Sequence, residues 1–384
     1  MNLSSSNPYY LALMNDIPIN NSIVVCAGMS NTDLFISDGQ YESFCLYDSS
    51  NLENNIPFGS GFNLNPMVSN SGCFHLYRWN SDDTTAVVFI RSRADQAKNC
   101  QDFKNVFQVG TQGTATSGTN GTCEMIFLAT NYKEMSTILI SDISTADTNL
   151  TIYGRETLTL RSPVNNKNIH DIQLQDAYLW KNFGIFYTFA LSILVPSDAT
   201  ISVTTKTQNE PYTIQKKGCD IIQKGLVASP AYTGSNFNLT DIIYESEIDR
   251  EHIVELNVLK MSDNDTVFLE YYDNDGNETV KVLENGFSFN FTANVETGFK
   301  LIINESFNDF LIQYTLTSNI SPIYKTIYLS ENMPYYLNVL ENINVNDAIV
   351  ICAANLDDFE LFVTSGNHQD FWLHDSTNLE NCIK

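Results

Sequence analysis

The chain has 384 residues, 43% of them hydrophobic, and its 45 acidic side chains outnumber 20 lysines and arginines, which gives a net charge of −25. The apolar fraction supports folded cores, and the length predicts about two to four domains. The negative charge repels phosphate backbones and anionic lipid heads, so it disfavours nucleic-acid binding and membrane-surface binding. It suits cation binding, basic partners or simply a solvated acidic surface.

Short runs rich in Val, Ile, Phe, Tyr and Thr predict β-strands along the whole chain, whereas helical periodicity is nearly absent. In chain order the predicted strands include 22–27, 85–90, 124–129, 137–140, 200–204, 266–271 and 288–292. Turn dipeptides that tolerate positive φ follow at Asp38-Gly39, Asp275-Gly276 and Asn285-Gly286. The pattern predicts an all-β chain of antiparallel β-sandwiches.

The last part of the sequence also repeats the first part. Pro8-Tyr9-Tyr10-Leu11 recurs as Pro334-Tyr335-Tyr336-Leu337, and 44–54 recurs as 371–381 after a one-residue insertion. Fainter echoes inside the chain, such as 124–129 resembling 22–27, indicate further copies. We therefore predict β-sandwich modules at residues 1–106, 107–209 and 210–330, and a partial fourth at 331–384 that repeats residues 8–56.

In general architecture the predicted modules resemble immunoglobulin-like and cadherin-like ectodomains. The Cys…Trp…Cys pattern of immunoglobulin domains and the calcium motifs of cadherins are not evident, so the resemblance implies tandem sandwiches and no particular function.

Two terminal features bear on the origin of the chain. No apolar stretch is long enough for a transmembrane helix, and no basic segment followed by an apolar run opens the sequence, so neither an inserted helix nor a signal peptide is expected. The incomplete fourth copy favours a piece of a longer precursor.

The eight cysteines form an even set without a C-x-x-C pair, which argues against structural zinc and favours disulfides in an oxidising compartment. Pairing of sequence neighbours gives Cys26–Cys45, Cys73–Cys100, Cys123–Cys219 and Cys352–Cys382. Two of these positions differ between the copies, because Cys45 aligns with Trp372 and Cys382 with Asn55. The alternative is buried free thiols that pack as small hydrophobes.

Asn-x-Ser/Thr sequons predict surface loops and glycosylation if the chain is secreted. They lie at Asn2, Asn20, Asn120, Asn149, Asn238, Asn264, Asn277, Asn290, Asn304 and Asn319. Because asparagine is abundant here, the sequons support an extracellular location only together with the cysteines.

An acidic turn region is the best metal candidate. Its oxygen donors are Asp263, Asp265, Asp273, Asp275 and Glu278, grouped around a glycine turn as calcium requires. The spacing does not match an EF-hand loop, and Asp-Gly is also ordinary hairpin chemistry, so a plain turn is the competing interpretation. No other cofactor is predicted.

Catalytic signatures are absent from the sequence: no nucleophile elbow, zinc-protease motif, phosphate loop or dinucleotide fingerprint occurs. We therefore predict no catalytic residues and no enzyme, with a secreted hydrolase as the weakest alternative. The leading prediction is an extracellular or cell-surface structural or adhesive repeat protein that contacts itself or neighbouring repeats, with end-to-end assembly into a filament or array as one form of that contact. The alternative is a lectin-like module that binds a glycan or protein through exposed aromatics such as Trp79 or Trp372.

Overall fold

The computed structural model describes the part of the chain that forms its sheets. The described residues are 1–28, 31–37, 43–48, 51–56, 66–69, 71–82, 86–129, 137–145, 157–185, 188–208, 212–216, 222–229, 232, 242–248, 251–262, 266–273, 275–295, 297–303, 309–318, 325–329, 349–353, 374–375 and 378–382. Strands dominate the described residues, and the helical elements named there are short: α1 (Arg93–Gln96) and 3-10 turns at Met14–Asp16 and Leu174–Leu179. The predicted all-β class is confirmed.

The strands of the described residues fall into three sets, followed by four further strands. The first set is β1 (Tyr9–Leu13), β2 (Ser22–Cys26), β3 (Thr32–Ile36), β4 (Phe44–Asp48), β5 (Asn51–Ile56), β6 (Met67–Ser69), β7 (Cys73–Arg78) and β8 (Val87–Ser92). The second is β9 (Val106–Gln108), β10 (Gln112–Thr116), β11 (Cys123–Leu128), β12 (Thr137–Thr145), β13 (Thr157–Ser162), β14 (Lys167–Gln173), β15 (Phe183–Ile185), β16 (Ala190–Val195) and β17 (Thr200–Gln208). The third is β18 (Tyr212–Lys216), β19 (Ile222–Ala228), β20 (Ile242–Ile248), β21 (His252–Lys260), β22 (Val267–Tyr272), β23 (Glu278–Leu283), β24 (Ser288–Ala293), β25 (Phe299–Ile303) and β26 (Leu311–Ser318). The last four are β27 (Lys325–Leu329), β28 (Ile349–Ala353), β29 (His374–Asp375) and β30 (Asn378–Cys382).

Each set repeats one topology, and we call each a unit. In the first unit the A sheet has the order β1-β8-β3-β6 and the B sheet the order β2-β7-β4-β5. The A sheets of the other units, β10-β17-β12-β15 and β19-β26-β21-β24, and their B sheets, β11-β16-β13-β14 and β20-β25-β22-β23, follow the same order. This is the two-sheet jelly roll.

The strand order corrects one detail of the sequence analysis. Immunoglobulin domains distribute their strands differently between two sheets, so the immunoglobulin-like comparison does not describe these units. Alternation along a sequence predicts where strands lie but not which of them pair, because pairing joins distant segments. The predicted boundaries at residues 106, 209 and 330 stay predictions.

Each unit begins with a short leading strand, reduced to a single bridge in the first unit, that adds to its B sheet in parallel. β9 pairs with β11, β18 pairs with β20, and in the first unit Asn2 bridges Cys26. The partial repeat follows the same rule, because β27 pairs in parallel with β28 and Tyr328 lies opposite Cys352. The two copies are therefore in the same register, which extends the repeat to the leading strand itself.

The second and third units share one continuous sheet. Their A sheets join through the parallel pairing of β15 and β19, which places Gly184 opposite Val227. Gly225 lies at this join, where a Cβ atom would overlap the Tyr314 ring. One hydrophobic cluster accordingly runs through both units, whereas the first unit has a core of its own.

Candidate functional site

The A sheet of the first unit turns its outer face towards the B sheet of the second. Because side chains alternate along a strand, Leu34 and Ile36 of β3 face the first unit's core and Phe35 faces the other way. The Phe89 ring lies 5.8 Å from that of Phe35 and 5.3 Å from that of Tyr9, measured between centroids. The second unit contributes Val106, Ile126, Leu128, Ala129, Phe189 and Ala190. Burying each large apolar side chain contributes about 1.5–3 kcal/mol.

A buried ion-pair network lies beside this apolar contact. Asp33 has no solvent exposure and pairs with Arg91 (Nε to Oδ2, 3.0 Å) and with Arg93 (Nη2 to Oδ1, 2.7 Å). The Arg91 guanidinium also lies 5.2 Å from the centre of the Phe35 ring. Burial lowers the pKa of Arg91, and the Asp33 carboxylate opposes that shift. The pairing lets two charges remain inside the protein.

The remaining donors of Arg91 carry the network towards the second unit. Its Nη1 donates to Gln96 Oε1 at 2.9 Å and to Asn105 Oδ1, while its Nη2 donates to the Phe103 carbonyl at 2.7 Å. Asn105 Nδ2 in turn donates to the Glu124 carbonyl at 2.6 Å. The segment that connects the two units is therefore fixed from both sides.

Glu124 forms the far end of the network, within the second unit. Its Oε1 lies 3.9 Å from Arg161 Nη1, and 13% of its side chain is exposed. Burial raises the pKa of Glu124, while the side chains of Ser192, Arg161 and Gln96 oppose the rise. Ser192 and Gln96 are buried.

Asn166 links the same arginine to the first unit. Arg161 Nη2 donates to Asn166 Oδ1 at 3.2 Å, and the Tyr9 hydroxyl donates to the same oxygen at 3.3 Å. Asn166 has a φ of 58°, a left-handed conformation that asparagine tolerates better than most residues. The interface thus combines an apolar centre with polar contacts between the two units. Such an interface suits a role in holding the two units in a fixed relative orientation.

A second charged cluster lies where the second and third units meet. Asp309 accepts from Lys167 Nζ at 3.1 Å and from Lys260 Nζ at 2.7 Å. The Lys167 ammonium also lies 3.7 Å from the centre of the Tyr232 ring. These side chains are partly exposed, so each ion pair contributes no more than about 1 kcal/mol.

The cysteines pair differently from the sequence prediction. The structure joins Cys26 to Cys73 and Cys100 to Cys123, so the predicted pairs Cys26–Cys45, Cys73–Cys100 and Cys123–Cys219 are wrong. Neighbours in sequence are not neighbours in a jelly roll: β2 pairs with β7 and places Cys26 opposite Cys73. Cys45, on β4, is a free cysteine. Cys219 and the side chains of Cys352 and Cys382 lie outside the described residues.

Three of the five predicted calcium ligands, Asp273, Asp275 and Glu278, lie in the described residues. Asp273 Oδ1 accepts the backbone N–H groups of Asp275 and Asn277 at 3.0 and 2.9 Å, which closes the turn between β22 and β23, and Glu278 begins β23. These bonds, that from Asn277 first, lower the pKa of Asp273. Asp263 and Asp265 lie outside the described residues. Within the described ranges, no three His, Cys, Asp or Glu side chains are grouped to hold a metal.

Five of the predicted glycosylation sites are visible and exposed: Asn2, Asn20, Asn120, Asn277 and Asn290. The others, Asn149, Asn238, Asn264, Asn304 and Asn319, lie outside the described residues. Exposure makes the first group accessible, and their modification stays a prediction. In the part of the chain that the structure describes, no helix has the length and apolar character needed to cross a membrane.

Trp79 stands at one end of the first unit and is 49% exposed. The loop that carries it is organised by Arg78, whose Nη1 donates to the carbonyls of Asn15 and Ile17 at 3.0 Å. Asn80 Nδ2 donates to Asp82 Oδ2 at 2.5 Å in the same loop. An aromatic surface therefore lies beside polar groups on a fixed loop. Trp372 lies outside the described residues.

Sequence reasoning missed the inter-unit network. Its charged members do not stand out in the sequence from the many other charged residues; they are Asp33, Arg91, Glu124 and Arg161. The available signal was the run Val87–Ser92, in which an arginine follows four apolar residues and every position is buried. A strand buried on both faces reads as continuously apolar, so an arginine within it needs a partner.

Comparisons with known proteins leave the family open. No family model matches the chain, and no curated protein matches it. Among solved structures, the chain is similar to the CUB1-EGF-CUB2 domains of rat MASP-1, with 9% identity, a TM-score of 0.19, and coverage of 54% of this chain and 99% of that one. It is also similar to the full extracellular region of zebrafish Gpr126/Adgrg6, with 11% identity, a TM-score of 0.16, and coverage of 54% and 35%.

A third similarity is to a structure described as the triple jelly roll fold and turret assembly in an archaeal virus. Its identity is 10%, its TM-score 0.17, and it covers 82% of this chain and 91% of that one. TM-scores this low carry no argument, so the jelly-roll assignment rests on the strand order of the chain itself.

Proposed function

We propose that this chain is a non-enzymatic, extracellular or cell-surface structural or adhesive repeat protein. The observation that carries the proposal is the interface between the first two units, where an apolar cluster and a buried ion-pair network hold two jelly rolls together. Two disulfides support an oxidising environment. Units of one topology joined at fixed interfaces give a protein reach and stiffness.

Fixed interfaces predict that neighbouring units behave as one body. Removing apolar contact from the first interface, by Phe89→Ala, is expected to let the first unit move relative to the second. Small-angle X-ray scattering of the intact chain measures this as a broader distance distribution. Leu76→Ala, in the first unit's own core, is the matched control. Identical scattering for Phe89→Ala and the unaltered chain would contradict the proposed stiffness.

We also infer where the chain contacts a second copy of itself. On the B sheet of the third unit, Ile243 lies opposite Ile302, Ile302 opposite Phe268, and Phe268 opposite Val282. This apolar row crosses four strands, and Ile243 and Val282 are 39% and 52% exposed. In the second unit the corresponding sheet is covered by the first unit.

The charges beside the apolar row favour self-association. The next row of the same face holds Glu245, Lys300 and Glu270, with Lys300 Nζ 2.9 Å from Glu245 Oε1. Acidic groups on both sides of a single lysine allow two copies of this face to oppose unlike charges. A second copy therefore suits the surface, because it can cover the apolar row and oppose the charges beside it.

Light scattering at several concentrations tests this surface. We expect a mass that rises with concentration, and a loss of that rise in Val282→Glu. Val295→Glu is the matched control, because Val295 is 54% exposed but lies outside the row. A chain ended at residue 330 separates this surface from association through residues 331–384. A constant monomer mass in the unaltered chain would refute self-association.

A lectin-like function is the second candidate, and Trp79 is the observation that favours it. A half-exposed indole beside the Asn80–Asp82 pair offers a stacking surface and polar groups to a sugar ring. Glycan-array binding that is lost in Trp79→Ala and kept in Phe103→Ala, an aromatic 51% exposed elsewhere, would support it. Equal binding by both variants would reject it.

A further inference from the structure

The continuous sheet of the second and third units ends in β10 on one side and in β24 on the other. Each of the two A sheets has a first and a fourth strand in its spatial order. The internal join pairs the fourth strand of the second unit, β15, with the first strand of the third unit, β19. The two outer edges are therefore one first strand and one fourth strand, the same two kinds of edge that the join uses.

The directions of these edge strands match as well. Neighbouring strands within each of the two A sheets are antiparallel, so the first and fourth strands of a sheet point in opposite directions. Because β15 and β19 are parallel, β10 and β24 point the same way along the sheet. When the sheet is continued in the same sense, β24 of one molecule lies parallel to β10 of the next, as β15 lies parallel to β19 within the chain.

The backbone of β24 has hydrogen-bonding groups on its outer side. In the described residues this strand pairs on one side only, with β21. The Val258 N–H donates to the Phe287 carbonyl at 2.8 Å, and bonded and non-bonded pairs alternate along an antiparallel ladder, so every second residue from Phe289 onwards bonds to β21. The residues between them turn their N–H and C=O groups to the open side; they are Ser288, Asn290 and Thr292.

The backbone of β10 is open over part of its length. The Thr205 N–H donates to the Thr111 carbonyl at 3.1 Å, so by the same alternation Gln112 and Thr114 turn their N–H and C=O groups away from β17. The last residue of β10 points the same way, but its carbonyl accepts from the Gln101 N–H at 2.9 Å. The open stretch 112–114 is as long as β15, which is the 3-residue strand that forms the internal join.

Neither edge carries the features that usually prevent edge pairing. Proteins protect open edges with charged side chains, proline or bulges. β24 reads SFNFTA and β10 reads QGTAT, without a charge or a proline, and each follows its neighbour in unbroken register. The outer strands of the corresponding B sheets differ, because β14 carries Lys167 and Asp171 and β23 carries Glu278 and Lys281. The edges of the continuous sheet are therefore the ones suited to accept another strand.

We propose that β24 of one molecule pairs in parallel with β10 of a second molecule of this chain, so that molecules join head to tail through one continuous sheet. Backbone hydrogen bonds form the contact, as in other cases of strand addition. Because the two edges differ, each junction leaves one edge of each kind available, and the contact can be repeated. This inference rests on the proposed structural role, and its surface is distinct from the apolar row on the third unit.

Amide hydrogen exchange, measured for each residue by NMR, tests the edges in Val282→Glu, which removes the contact through the apolar row. The edge pairing is short, so we expect it at concentrations above those at which the apolar row associates. The outward N–H groups of Asn290 and Thr114 should then exchange several-fold more slowly than in dilute protein. The N–H of Phe291, which faces β21, should not change. Equal exchange at both concentrations would overturn edge pairing and would leave the apolar-row contact to its own test.

Proline variants in the same Val282→Glu background test the head-to-tail arrangement. Asn290→Pro and Thr114→Pro each remove one outward N–H, which an edge strand tolerates. Each variant alone should lose the slowing at its intact edge. A mixture of the two should recover it, because each variant supplies the edge that the other lacks. Asn290→Gln, which keeps the N–H and removes the sequon, is the control and should behave as the parent. Slowing in a single proline variant, or none in the mixture, would contradict the proposal.

Discussion

Asp33 and Arg91 lie directly opposite each other on neighbouring strands, and both side chains are fully buried, with 3.0 Å between Oδ2 and Nε. A buried pair of this kind is weak proof of stability by itself, because both charges lose their hydration. Its main effect is on geometry. Asp33 holds one side of the Arg91 guanidinium while the other side contacts Gln96, Asn105 and Phe103, so the pair helps to set the position of the connecting segment.

Removing one partner of this pair is expected to be costly. Asp33→Ala leaves the Arg91 charge buried without its carboxylate and should lower the free energy of unfolding by about 3–5 kcal/mol. Urea denaturation measures the loss. Glu245→Ala is the control, because it breaks the exposed pair with Lys300 and should cost no more than about 1 kcal/mol. Similar losses in both variants would show that burial of the pair has no special effect.

Glu124 predicts a pH dependence of stability. Its pKa in the folded protein lies above the ordinary value of 4.5. The folded state therefore takes up this proton at a higher pH than the unfolded chain does. The stabilisation is complete below the ordinary pKa and is lost as the pH rises through the folded-state pKa.

Thermal melts over that pH window check the sign. Relative to Glu124→Gln, which does not titrate, the unaltered chain should gain melting temperature as the pH falls from neutral towards the ordinary carboxyl pKa. A relative loss of stability on acidification would contradict the assignment.

The disulfide pattern predicts a peptide map and two stability changes. Digestion without reduction should yield linked peptides for Cys26–Cys73 and Cys100–Cys123, and alkylation should label Cys45. The bonds span 47 and 23 residues, so loop entropy predicts losses of about 4 and about 3 kcal/mol when each pair is replaced by serines. A linked Cys26–Cys45 peptide would contradict the described pairing.

Gly225 predicts the sensitivity of the join between the second and third units. Gly225→Ala places a methyl group against the Tyr314 ring, and overpacking of this kind costs about 1–3 kcal/mol. Gly118→Ala is the control, because its Cβ would make only an ordinary contact, 3.6 Å from the Asn99 carbonyl. Calorimetry of both variants measures the difference. Equal melting temperatures would show that the join tolerates the added volume.

Much of the secondary structure follows from the sequence alone. The predicted strand at 22–27 corresponds to β2, that at 124–129 to β11 and that at 266–271 to β22, each within a residue or two of the observed ends. These segments combine β-branched and aromatic residues with bounding turns, and local preference suffices to place them. The repeat also extends to structure, because β27 and β28 pair as the first residues and β2 do.

Pairing could not be predicted in the same way. Asn285-Gly286 reads as a hairpin turn, and Gly286 does adopt a φ of 74°. The strands it separates nevertheless belong to different sheets, because β23 pairs with β22 and β24 with β21. A jelly roll alternates between its two sheets at such turns, and long-range contacts rather than turn chemistry decide the partner. The cysteine pairs and the interface of the first two units could not be predicted for the same reason.

The leading strands determine how tension would travel through such a chain. A pull on the backbone reaches each roll first at the segment ahead of it, and this segment is hydrogen-bonded alongside the strand that it accompanies. When two parallel neighbouring strands are pulled along their length, one must slide past the other. The hydrogen bonds between them therefore bear the force together instead of breaking one by one. Each segment that leads into a jelly roll is thereby part of that roll's B sheet. Its hydrogen bonds resist a pull on the chain before the other strands of the roll are strained.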